Sequence, residues 1–112
     1  MKKYKQILFS ALQLTVQPKS ALKKLMEKRI TAIAWDYIED ESGSFPLIRS
    51  MGEIAGTTSV LIAAELMSNA NSGKGLMLGG VAGITPPEMV IIGAGTVGQF
   101  AASSALALGV SV

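Results

Sequence analysis

Met89-Val-Ile-Ile-Gly-Ala-Gly-Thr-Val-Gly98 decides the reading of this 112-residue chain. Four apolar residues suit a buried parallel strand. Directly after them Gly93, Gly95 and Gly98 form a G-x-G-x-x-G. The run Gln99-Phe-Ala-Ala-Ser-Ser-Ala-Leu-Ala-Leu108 then reads as a helix ended by Gly109. Strand, glycine turn and helix in that order are the context that turns a weak glycine spacing into a dinucleotide-binding motif. Each glycine has its own task there. Gly93 makes the tight turn off the strand, Gly95 lets the backbone approach a pyrophosphate, and Gly98 lets the helix pack closely on the strand. Ala94, Thr96 and Val97 complete the turn, whose helix N-terminus offers unpaired N–H groups to phosphate.

Outward from the motif, Pro86-Pro87 cannot donate to a central ladder and so start the strand rather than continue it. Val110-Ser-Val112 reads as the beginning of another strand. An acidic residue that would hold the ribose hydroxyl is expected about 20 residues into the motif, which falls at or past Val112. The motif thus reads as dinucleotide-binding and does not by itself separate NAD from NADP. The rival reading of the uncharged run from Met89 onward is a bilayer span, since it exceeds about 20 residues. Three glycines within six residues, Thr96, Gln99, Ser103 and Ser104 argue against it, and no Lys or Arg cluster flanks either end. No membrane insertion is expected.

Composition narrows the chemistry. With Cys 0 and His 0, disulfides, thiolate metal sites, cysteine nucleophiles and the serine–histidine triad are excluded. No metal site is expected. Hydrophobic residues make up 49% and charged residues 16%, so the chain is not a disordered tail. So much apolar surface in so short a chain calls for more protein, or a membrane, to cover it. Of the 10 basic residues, those before position 30 are Lys2, Lys3, Lys5, Lys19, Lys23, Lys24, Lys28 and Arg29, whereas after Gly75 the one charge is Glu88. Without aromatic or arginine-rich interleaving, the lysines read as a solvated face, and no nucleic-acid partner is expected. The basic start and the apolar Ile7–Leu12 lack a small-x-small cleavage pattern, so a buried strand over residues 6–12 is preferred to a signal peptide.

Pro18 sits well at the first turn of a helix over residues 19–29, with Ala21, Leu22, Leu25 and Met26 on one face. Residues 30–35 read as a strand and residues 39–44 as a turn. Strand, helix and strand predict a parallel βαβ unit within an α/β fold. Residues 52–70 predict a long helix, apolar on most sides. Such a helix is either a core helix buried all round or one bridging two domains.

Lys24-Leu-Met-Glu-Lys-Arg-Ile-Thr-Ala-Ile-Ala34, Phe45-Pro-Leu-Ile-Arg-Ser-Met-Gly-Glu-Ile-Ala-Gly56 and Val90-Ile-Ile-Gly-Ala-Gly-Thr-Val-Gly98 together resemble alanine dehydrogenase. The same family includes the nucleotide-binding part of proton-translocating transhydrogenase. The resemblance covers most of the chain in collinear order. It implies an internal fragment of a cytoplasmic, homo-oligomeric NAD oxidoreductase that deaminates L-alanine to pyruvate, the fragment being inactive alone. Its partners would be the dinucleotide and a small amino acid or 2-oxo acid. Residues 1–50 would then end a catalytic-domain segment, residues 51–72 would be the interdomain helix, and residues 73–112 would open an incomplete Rossmann domain. The other reading is a non-catalytic dinucleotide module, or a transhydrogenase-type piece, acting with other chains.

Two departures from the alanine dehydrogenase pattern stand out. Where the family carries a catalytic histidine, this chain has Gln13, as the transhydrogenase branch does. Gln13 cannot exchange a proton at neutral pH but can orient a carbonyl through hydrogen bonds; equally, it can be a turn amide after a strand. Where the family usually has a cofactor-contacting serine, this chain has Gly52. The family's substrate-binding arginine and lysine match positions upstream of this sequence, and its catalytic aspartate a position downstream.

Overall fold

The computed structural model describes residues 6–13 and 16–112. Lys2, Lys3 and Lys5, and the signal-peptide reading that began with them, lie outside the described residues. The chain forms two compact units, Met1–Ile48 and Arg49–Val112.

The first unit is the βαβ arrangement. β1 (Ile7–Ser10) and β2 (Thr31–Ala34) are parallel neighbours, with Ile7 opposite Thr31 and Ser10 opposite Ala34. Parallel strands need a crossover, and α1 (Lys19–Glu27) supplies it. Pro18 stands at the N-cap, its carbonyl accepting from Ala21 N–H at 2.9 Å. α1 ends two residues before the expected Arg29. Arg29 turns into the left-handed region at φ 50, and Ile30 N–H reaches back to the Leu25 carbonyl at 3.1 Å, which closes the helix and launches β2. Ala21, Leu22 and Leu25 are half-buried as a face, but Met26 is exposed. The expectation of a buried strand over residues 6–12 needs correction: β1 is four residues long, and Ile7, Leu8 and Phe9 are exposed. A two-stranded sheet covered by one short helix has too few neighbours to bury both faces. Trp35 leaves the strand and begins a 3₁₀ turn, Trp35–Tyr37.

The second unit is built on two helices, α2 (Pro46–Met67), whose first turn belongs to the first unit, and α3 (Thr96–Ala107). α2 starts six residues earlier than its expected Gly52 because Pro46 is pre-organised for a helix start, and Arg49 pairs with Glu53 one turn on at 3.2 Å. It stops at Met67 rather than Ala70, where the Ser68 hydroxyl accepts from Ala70 N–H at 3.2 Å and turns the chain into a 3₁₀ turn, Asn69–Asn71. The core gathers Val60, Leu78, Ala101, Ala105 and Val110, with Ala64, Met67, Met89 and Ile91 packed against it. Gly56, Val60 and Ala64 are spaced four apart and so share one face of α2. The helix is not buried all round: Ile54 is 67% exposed and Leu66 64%.

Residues 89–92 were expected as a strand. They form no ladder; one parallel bridge joins Glu88 to Ser111. Met89 N–H donates to the Ser111 carbonyl at 2.7 Å and Ser111 N–H to the Pro87 carbonyl at 3.3 Å. The pairing segment, residues 110–112, bridges through Ser111 alone. It is extended beside the motif as a parallel neighbour, in line with its reading as a strand start.

Candidate functional site: the glycine turn at the head of α3

Residues 93–98 join the extended segment to α3 with the geometry that the three glycines require. Gly93 has φ 113, a conformation that side-chain-bearing residues rarely adopt. Gly95 is the N-cap of α3, and nothing lies within 4 Å of where its Cβ would be. The space above it is open. Gly98 is the opposite case: a Cβ there would collide with the Gly93 carbonyl oxygen and lie 3.5 Å from Ile91 Cγ2. The helix therefore begins at Thr96, three residues before the expected Gln99, and Gly98 lies inside its first turn.

The first N–H with a helical acceptor is that of Gln99, which donates to the Gly95 carbonyl at 2.9 Å. The N–H groups of Thr96, Val97 and Gly98 are left over at the positive end of the helix dipole. No acidic side chain stands in the first turn to repel an anion. Gln99 Nε2 donates to the Ala94 carbonyl at 3.0 Å, bracing the turn from within the helix. That brace was missed in the sequence, where Gln99 reads only as a helix former. Gly52 lies on α2 against this same first turn. A Cβ on it would stand 3.3 Å from both Thr96 Cβ and Cγ2, and 3.5 Å from Val97 Cγ2.

In the first unit, Gln13 is exposed, and its carbonyl accepts from Val16 N–H at 3.0 Å and Gln17 N–H at 3.1 Å. One residue earlier, Leu12 N–H donates to Asp36 Oδ1 at 3.1 Å, across 24 residues of sequence. Asp36 thus ties the segment leading to Gln13 to the end of β2. Nothing in the one-dimensional pattern marks Asp36, because the contact depends on the parallel pairing of β1 and β2. Among the described residues no group of three His, Cys, Asp or Glu could hold a metal ion, and no helix is long and apolar enough to cross a membrane.

A cavity of about 530 Å³ in the second unit, lined by Leu61, Ala64, Leu76, Met77 and Leu108 among others, reaches the C-terminal end of α3. It is distinct from the glycine turn, which lies at the other end of a helix about 18 Å long.

The fold and the turn define an α/β protein of parallel strand–helix build, with a glycine turn feeding a helix N-terminus. The family model "Alanine dehydrogenase/PNT, C-terminal domain" matches residues 59–112. The alanine dehydrogenase of Methanococcus maripaludis is 42% identical over 107 residues, 96% of this chain and 28% of that protein. That of Geobacillus stearothermophilus is 37% identical over 106 residues, covering 95% of this chain and 28% of its own. A solved structure named L-alanine dehydrogenase superposes with a TM-score of 0.89 at 38% identity, over 98% of this chain and 30% of its own. The chain is thus similar to alanine dehydrogenases along nearly its whole length, and it spans under a third of the length of these relatives.

Proposed function

We propose that this chain carries the dinucleotide phosphate turn of an alanine dehydrogenase-type oxidoreductase. The observation that carries the reading is the turn itself: left-handed Gly93, open space over Gly95, and Gly98 seated on Gly93. These features suit a pyrophosphate, which needs close backbone approach and unpaired N–H donors. Gly93, Ala94, Gly95, Thr96, Val97 and Gly98 would lie against it, with Gly52 behind them. NAD is the cofactor favoured by the named relatives, and NADP is not set aside. When bound it accepts the hydride, as L-alanine and water give pyruvate, ammonium and a proton.

This chain's share in that chemistry is to hold the phosphates and fix the cofactor's register. Gln13 can donate its amide N–H to a substrate carbonyl, but it cannot take up a proton. One glycine turn with a single neighbouring extended segment is inferred to hold the dinucleotide weakly. With neither histidine nor cysteine in the sequence, and the family's substrate-binding arginine and lysine and catalytic aspartate not matched among them, the 112 residues alone are inferred to turn nothing over. Parts of the same family supplied by other segments or chains would complete a Rossmann sheet and the substrate pocket, in a soluble, cytoplasmic homo-oligomer.

The second reading, a non-catalytic or transhydrogenase-type nucleotide module, is favoured by Gln13 standing where alanine dehydrogenases carry histidine. One experiment separates the readings. The corresponding segment of an active alanine dehydrogenase is replaced by this chain, and alanine oxidation and NAD binding are both measured. Turnover supports the dehydrogenase, binding without turnover supports the module, and loss of binding in a folded chimera removes both.

A further inference from the structure

Glycine within a helix is destabilising relative to alanine, yet α2 has Gly52 and Gly56 one turn apart in its first half. Both face the first turns of α3. A Cβ on Gly56 would collide with the Val97 carbonyl oxygen, stand 2.8 Å from Phe100 Cβ and reach 3.0 Å from Ala101 N. Val97 and Ala101 are four residues apart, so that intrusion falls on a hydrogen-bonded pair of the α3 backbone. Gly56 therefore sets how closely the two helices approach. Gly52 is a finer contact, because its neighbours are side-chain atoms of Thr96 and Val97 rather than backbone.

We propose that Gly52 is a positioning residue for the dinucleotide. It acts through Thr96 rather than by touching the cofactor: with no Cβ at 52, the Thr96 methyl seats against α2 and holds the free N–H groups of Thr96, Val97 and Gly98 in place. This rests on the reading of residues 93–98 as the phosphate turn. A methyl at position 52 would make Thr96 give by a few tenths of an ångström. That displacement turns the first-turn donors while leaving α2 helical, since alanine is the better helix former. Local propensity and positioning thus predict opposite signs. Gly52→Ala should keep or raise helix stability and yet weaken dinucleotide binding.

The test is equilibrium dialysis of the full chain against NAD, with circular dichroism and thermal unfolding as structural readouts. Gly52→Ala should raise the dissociation constant about 3- to 10-fold, since orientation at a phosphate cradle is sensitive to sub-ångström shifts. Thr96→Ser removes the Cγ2 half of the contact and leaves Thr96 Cβ at 3.3 Å, so Gly52→Ala should raise the dissociation constant less in the Thr96→Ser background than in the unsubstituted chain. An unchanged dissociation constant in Gly52→Ala, or no rescue by Thr96→Ser at equal helix content, overturns the proposal. If the unsubstituted chain retains no NAD, it is the dinucleotide reading that fails. Hydrogen exchange of the peptide over residues 93–100 then decides the positioning role: it must change in Gly52→Ala and change less when Gly52→Ala is made in the Thr96→Ser background, or the proposal falls.

Discussion

Gly98 lies so close to the Gly93 carbonyl that no side chain can be placed on it without moving backbone: the added carbon would also come within 3.0 Å of the Gly93 carbonyl carbon. The two ends of the glycine turn are therefore stacked on each other. Gly98→Ala must separate them. Overpacking of this kind costs about 1–3 kcal/mol, and denaturant unfolding of the second unit should register it. Gly95→Ala, with open space around its Cβ, should cost well under that. Equal losses for the two would mean that the packing of the turn does not set its stability.

Asp36 offers a second handle. Its carboxylate accepts the Leu12 N–H at 3.1 Å and joins the segment after β1 to the end of β2. A hydrogen bond to a charged group contributes about 1.5–3 kcal/mol at most, and partial exposure of this one brings the expectation to about 1 kcal/mol. Asp36→Ala should speed amide exchange at Leu12, while Asp36→Asn, which keeps an acceptor oxygen, should fall between. If Asn behaves like Ala, the oxygen is not the tether.

Low pH should loosen the loop after β2 before it affects the helices. The Ser42 hydroxyl and the N–H groups of Ser44 and Ser42 donate to Asp40 Oδ1, at 2.6, 3.0 and 2.9 Å. These bonds hold the Asp40 carboxyl below its ordinary value of 3.8, the Ser42 hydroxyl contributing most. A depressed carboxyl contributes its support above the unfolded value and loses it as pH falls through the folded one. Amide exchange at Ser42 and Ser44, corrected for its intrinsic pH dependence, should therefore stay protected at pH 5 and lose protection only below about 3.8. Asp40→Ala should abolish the protection at every pH.

The parallel βαβ unit was legible because each signal is local. The β-branched Thr31 and Ile33 mark β2, Pro18 opens α1, and the acidic and serine-rich turn after Tyr37 resolves into the Asp40–Ser44 loop. The glycine turn was legible as well, since Gly93 and Gly98 are demanded by backbone geometry. The start of α2 was not. Gly52 reads as a boundary in one dimension, and only its packing on Thr96 explains a glycine seven residues into a helix. The burial of residues 6–12 and 89–92 was read from apolar runs, which record what the sequence is suited to pack against. They do not record whether that neighbour is among these residues.

The exposed side of residues 89–92 should make this chain self-associate. Met89 and Ile91 pack on the core, while their alternating neighbours Val90 and Ile92 are 81% and 98% exposed. Extended backbone puts those two side chains on one face. Exposed apolar residues that cluster on an extended segment favour contact with more protein, and backbone left without a ladder adds a route to pairing between chains. Light scattering of the purified chain should show oligomers whose share rises with concentration. Val90→Lys together with Ile92→Lys should shift it toward monomer without unfolding α2 or α3, because neither side chain enters the core. NAD should oppose association only weakly, since the phosphate turn lies beyond this face. A wild-type chain that stays monomeric at high concentration and binds NAD tightly would show that residues 89–92 need no further cover, and that the 112 residues act as a complete small module.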